Sequence, residues 1–279
     1  MINQSPNKII MKKHLLSFVL AFAALFLSSC IQHEMTITLN KDGSGTLVEE
    51  TVMGAEMLGM LEQMAAGFGG EEAGNPLEEL LSEEKAGKRA SELGEGVTLG
   101  KIEPINLNGG KGARVTYNFE DINKLSPDLG SGMNNIPGAD EEEQETKENP
   151  LAFKYEDGKL TVTMPKPEKS DTPEEVRDVE MPNDPQAEAM MKQVFGSMKM
   201  SMKLVIAPGI AETNATHHDG DTITLMEMDF GKIVNSPDGF KKLAATQDEE
   251  DPARVMAALE GIDGVKLEAE PEITVTLSN

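Results

Sequence analysis

The stretch from Met11 to Cys30 constrains this chain more than any other. Lys12, Lys13 and His14 precede an apolar run over residues 15–27, and the run closes on Leu27-Ser28-Ser29-Cys30. Positive charge, a short apolar segment and small residues, in that order, are the layout of a secretory signal and its cleavage point. A helix of 13 residues rises only ~20 Å, short of the ~30 Å of a bilayer's hydrocarbon core. The folding unit is therefore the chain beyond the run, exported to an oxidising compartment. No disulfide can hold it there, because Cys30 is the single cysteine. Its core must come from aliphatic side chains and 18 methionines, since aromatic residues make up 4% of the chain and tryptophan is absent.

Leu-Ser-Ser-Cys resembles the lipobox of bacterial lipoproteins. That resemblance implies a signal peptide over 1–29, with Cys30 acylated as the new N-terminus of a lipid-anchored extracytoplasmic domain over 30–279. Residues 1–10 are polar, and Met11 is an alternative start. Ile31, rather than an aspartate, after the cysteine implies by the same resemblance the outer membrane of a diderm host, and otherwise the outer face of the cell membrane. Removing 1–29 takes away Lys8, Lys12 and Lys13 and no acid, so the net charge of −24 becomes −27 in the mature part. Such a surface repels phosphate backbones and anionic headgroups. Nucleic-acid binding is thereby excluded, and the membrane must be held through the acyl chains on Cys30.

Residues 35–39 alternate apolar and polar, residues 40–45 (NKDGSG) supply a turn, and 46–52 alternate again, which predicts a β-hairpin. From Met53 the spacing of Met57, Met60, Leu61 and Met64 predicts a helix, and 76–93 predicts a second. Strands are expected at 97–102 and 113–119, a hairpin around Asp157-Gly158, a helix at 186–195, and a strand at 198–207 pairing with 222–230 across a bulge near Leu225. Helices at 237–245 and 252–259 lead to a closing strand at 272–277. Two acidic, Pro- and Gly-bearing loops, 126–150 and 165–185, are expected to be mobile. The whole predicts an α+β protein of about nine strands, forming an antiparallel β-sheet or incomplete β-barrel with inserted helices.

Pro208-Gly209, Glu212, Asn214-Ala215, Asp219-Gly220, Thr222 and Thr224 resemble the PG…ETN…DG…T signature of LppM-like bacterial lipoproteins. The Asp42-Gly43-Ser44-Gly45 turn and residues 117–123 fit the same layout. The family would place an aromatic residue in the Thr222 strand, and the first half of that strand has none. The resemblance implies an anchored, β-rich extracytoplasmic domain and raises lipid contact in a β-lined cavity as an expectation.

No motif declares a reaction. Residues 40–51 resemble a calcium loop through the sixth position, but the twelfth is Thr51 instead of a bidentate glutamate. His33-Glu34 opens the H-E-x-x-H zinc motif, and Ile37 occupies the second histidine position. No G-x-S-x-G elbow or phosphate-binding loop occurs. No cofactor is expected. Two readings remain: a membrane-tethered, non-catalytic envelope lipoprotein that binds a lipid, a glycan or a protein partner, and an extracytoplasmic hydrolase using a carboxylate pair formed only in the fold. Under the first, Met57, Met60 and Met64 would face Met198, Met200 and Met202 across an apolar cavity that takes up an apolar or lipid ligand. Ordinary halves of one filled core are the alternative account of the same stripes.

Overall fold

The computed structural model describes residues 31–55, 57–59, 76–107, 109–129, 150–165, 196–236, 239, 241–242 and 257–278. The signal segment, Cys30, Met60, Met64, the helix expected at 186–195, and most of both acidic loops and of the two late helices lie outside the described residues.

Alternation of buried and half-buried side chains, strict in β1 (Ile31–Leu39) and kept through Glu50 in β2 (Gly45–Met53), makes both segments strands. The turn between them closes on itself. Gly43 takes the left-handed φ of 89°, and Asp42 Oδ1 accepts hydrogen bonds from the Ser44 amide at 3.1 Å and the Ser44 hydroxyl at 2.6 Å. The Ser44 hydroxyl and amide hold the exposed Asp42 carboxyl below its ordinary pKa. An oxygen expected of a calcium loop is thus engaged within a hairpin turn.

β2 runs through Met53, so that residue ends a strand and does not begin the helical methionine stripe. The helix expected over 76–93 is two helices, α1 (Pro76–Leu80) and α2 (Glu83–Leu93). The break falls where Ser82 accepts from the Lys85 amide at 3.3 Å and restarts the helix as its N-cap. β3 (Thr98–Leu107) and β4 (Gly110–Phe119) follow. β5 (Ala152–Glu156) and β6 (Lys159–Thr163) turn on Asp157 and Gly158, both at positive φ, as a two-residue hairpin requires. The remaining elements are β7 (Lys199–Ile206), β8 (Ile210–Thr213), β9 (His218–Asp219), β10 (Thr222–Asp229), α3 (Phe230–Asn235), β11 (Val265–Leu267) and β12 (Glu272–Leu277). The register of β10 against β7 shifts between Thr224 and Met226, the bulge expected near Leu225.

The strands form two sheets where one was expected. The larger has the order β11-β10-β7-β1-β2-β4-β3, with β9 beside β10, and the smaller the order β5-β6-β12-β8. The larger is open, with β3 and β11 at its edges, so no barrel closes. Nor is it wholly antiparallel, because β1 and β7 run parallel. Such a pair needs a long crossover, and the chain between them contributes β2 to β6 and the helices α1 and α2. The protein is thus mostly β with some helices.

Buried residues of both sheets and of the helices form one continuous core. The outer face of the larger sheet is polar and laced with ion pairs, Lys203–Glu34 at 3.0 Å, Lys199–Asp229 at 3.1 Å and Lys266–Glu227 at 2.9 Å among them. Exposed pairs of this kind add little stability.

Candidate functional site

Pairing in register assembles the inner face of the larger sheet into rows that cross β2, β1, β7 and β10. At the end of the sheet where β1 begins, Met53 pairs with Ile31, and Met198 stands just before β7. The next row is Thr51, His33, Met200 and Met228, and the one after it Glu49, Met35, Met202 and Met226. Beyond these come Leu47, Ile37, Leu204 and Ile223, then Gly45, Leu39 and Ile206. The face therefore has a thioether half at the Ile31 end and an aliphatic half at the other.

Met198, Met200 and Met202 are buried in the first half. Met57 is half-buried against the same core. Met53, the start of the expected opposing stripe, lies on the same sheet face two strands from β7, beside those methionines rather than across from them. These thioethers fill one side of a shared core.

Polar side chains enter this face at two points. Glu49, 7% exposed, accepts from Arg89 Nη2 at 3.0 Å and Nε at 3.2 Å. Arg89 arrives on the face of α2 that buries Ala86, Ala90 and Leu93, and a longer contact of 3.6 Å joins it to Glu92. The Tyr117 hydroxyl donates to the same glutamate. Burial, followed by the negative charge of Glu49, pushes the Tyr117 pKa well above its ordinary value. For Arg89, burial acts to lower the pKa and the Glu49 carboxylate outweighs it, so the guanidinium stays charged. The cluster is a closed buried ion pair that pins α2 to the sheet.

The second point is His33, 6% exposed. Its Nδ1 lies 2.9 Å from Thr51 Oγ1. Among the described residues, its Nε2 is the buried side-chain polar atom without a hydrogen-bond partner. Burial lowers the His33 pKa, Glu49 opposes that shift and Arg89 adds to it, so the ring is held neutral.

A further buried carboxylate, Glu268, accepts from the amides of Thr216, His217 and Glu270 at 3.0 to 3.4 Å. Burial alone would raise its pKa, but the hydrogen bonds, led by the Glu270 amide, outweigh it and hold the carboxyl below its ordinary range. Side chains in and beside the signature stretch tie its turns together. Asp221 Oδ1 accepts from the Ile210 amide at 3.2 Å after the Pro208-Gly209 turn. Asn214 accepts from the Thr274 amide at 2.7 Å and donates to the Glu272 carbonyl at 3.0 Å, tying the loop after β8 to β12. His218 is exposed, with Nδ1 3.3 Å from the Ala215 carbonyl.

Sequence reasoning weighed His33 only as half a zinc motif and passed over Glu49, Arg89, Tyr117 and Glu268. A signal for two of them was available. His33 shares the period of two with Ile31, Met35 and Ile37, and Glu49 shares it with Leu47 and Met53, which turns both inward.

No family model and no curated protein matches the chain. Among solved structures, the NMR structure of the folded domain of LppM from Mycobacterium tuberculosis superposes with a TM-score of 0.33 at 6% identity, covering 91% of this chain and 94% of that one. So loose a superposition gives no correspondence between individual residues.

Proposed function

We propose that the protein is a membrane-tethered, non-catalytic envelope lipoprotein whose domain rests on the bilayer with the Ile31 end of its larger sheet. One observation carries this reading: β1, an interior strand of that sheet, begins at Ile31, the residue directly after the cysteine of the lipobox-like segment. Acyl chains on Cys30 would therefore be joined to the sheet without a linker, and one residue spans at most ~3.6 Å.

Two features of that end agree. Leu107, at the tip of the β3–β4 hairpin, is 45% exposed. The same end carries Lys111, Lys199 and Lys232 against Asp229 and Asp263, whereas the turns at the opposite end carry Asp42, Glu120, Asp121, Asp157 and Asp219 against Lys41 and Lys124. Among the described residues, the acidic end thus faces away from an anionic surface. No helix of the described residues is long and apolar enough to cross a membrane. The thioether half of the core lies nearest the bilayer, which favours an apolar partner over a glycan. A hydrolase finds less support, because the buried carboxylates Glu49 and Glu268 are both engaged by donors.

The absence of tryptophan allows a direct test. Leu107→Trp and Asp157→Trp variants of the full chain, reconstituted with brominated lipids, should be quenched at position 107 and unaffected at 157. Equal quenching would overturn the orientation. Retention of a Cys30→Ala variant on membranes after a high-salt wash would overturn the anchor.

A further inference from the structure

We propose that His33, Met200 and Met228 form a binding site for a soft monovalent cation, copper(I), one row inside the Ile31 end of the larger sheet. The three side chains are adjacent on the inner face, since register pairs His33 with Met200 and Met200 with Met228. Neighbouring strands lie ~4.8 Å apart. A thioether on three rotatable bonds can cover that separation and adapt to an ion between the strands.

The orientation of the imidazole supplies the second observation. Nδ1 is engaged by Thr51 on β2. The two nitrogens of the ring point in diverging directions, so Nε2 turns away from the Thr51 hydroxyl on β2, and the strand on the other side of β1 is β7 with Met200. That atom is buried and without a partner, a costly state for a polar group. A ligand on Nε2 relieves it.

The donor set selects the ion. In the tautomer whose Nδ1–H donates to Thr51, the lone pair of the neutral ring resides on Nε2, and a cation on Nε2 selects that tautomer. One imidazole nitrogen and two thioether sulfurs are uncharged, soft and few, a set that suits copper(I). Calcium and magnesium require oxygen ligands, and a zinc site wants thiolates or more imidazoles. Among the described residues no group of three or more His, Cys, Asp or Glu side chains could hold such an ion. The next row brings Glu49 beside Met35, but Arg89 neutralises it, so the surroundings favour one added positive charge over two. The inference goes beyond the tethering and is independent of it.

The test uses the full chain in detergent, titrated with copper(I) under ascorbate in competition with a chromophoric copper(I) chelator. Silver(I) serves as a diamagnetic probe of the methionine methyl resonances. The wild type should take up one equivalent and shift the methyls of Met200 and Met228. Met200→Leu and Met228→Leu keep the core volume and should each weaken binding by at least about tenfold. A His33→Gln variant should lose binding, and circular dichroism will report whether it folds. No uptake by the wild type would overturn the proposal, leaving water to satisfy Nε2. Leucine variants that bind like the wild type would overturn it too, placing the ion elsewhere on the chain.

Discussion

Replacing Arg89 by leucine tests whether α2 is held to the sheet by a buried ion pair. Glu49 is 7% exposed and receives two hydrogen bonds from one guanidinium, the shorter of 3.0 Å. At that distance and an effective dielectric near 20, the attraction is roughly 5 kcal/mol before desolvation is subtracted. The pair itself therefore adds little net stability, but removing one member leaves a buried charge with only the Tyr117 hydroxyl. Losses of about 3 to 5 kcal/mol are usual in that circumstance. For a domain of this size that is a fall of roughly 10 °C in Tm. A double variant, Arg89→Leu with Glu49→Gln, should regain most of the loss at pH 7. Urea denaturation of all three proteins at pH 7 reads each quantity. A single variant that loses less than about 1 kcal/mol, as an exposed pair would, would refute the reasoning.

Four other outcomes follow from the same structure. The lowered pKa of His33 means that the unfolded chain takes up its proton first, so the wild type should lose stability as the pH falls below ~6.5, and His33→Gln should abolish that slope in denaturation curves between pH 7.5 and 5.5. Gly87 lies inside α2 with open space where a Cβ would stand, so Gly87→Ala should stabilise by roughly 0.5 to 1 kcal/mol, whereas a Cβ at Gly112 would meet the Thr51 carbonyl at 1.8 Å and Gly112→Ala should separate β2 from β4, as hydrogen exchange of those strands would report. Met200→Ala should cost about 2 to 5 kcal/mol if the inner face is a filled core, while a melting point left unchanged together with altered uptake of a fluorescent lipid would mark a cavity wall.

How much of this was legible in the residues depended on the range of the interaction that decides each element. Alternation over residues 35–39 and 46–52, and the glycine-bearing turns at Gly43 and Gly158, are local, and their hairpins stand as read. The bulge at Leu225 was also readable, because the buried face changes within a single strand. Met53 was misassigned because methionine suits a helix and a strand alike, and its spacing to Met57 fits a helical turn, while the pairing with Ile31 that makes it a strand end is remote in sequence. The break at Ser82 depends on a cap that competes with continuing the helix, and the periodicity of leucines on either side conceals it. Division into two sheets was out of reach. It rests on β12 choosing β6 and β8 and on β7 choosing β1, and no window of sequence contains both members of such a pair.

The same distinction explains why the polar interior of this face escaped notice. A buried glutamate or histidine looks in sequence like any other polar residue of an alternating strand, and only the phase of the alternation tells inside from outside. In β1 the phase is unambiguous, since Ile31, Met35, Ile37 and Leu39 leave His33 no outward option without moving every neighbour to the wrong face. The phase forces the histidine inward, where leucine or methionine would pack without an unmet nitrogen. Glu49 meets a comparable constraint by finding Arg89 and Tyr117, and Glu268 by finding three amides. Thr51 answers only one side of His33. Of the buried polar groups described, His33 is the one whose own fold leaves it half satisfied, and it sits where the methionines are densest and the sheet comes closest to the lipobox-like segment.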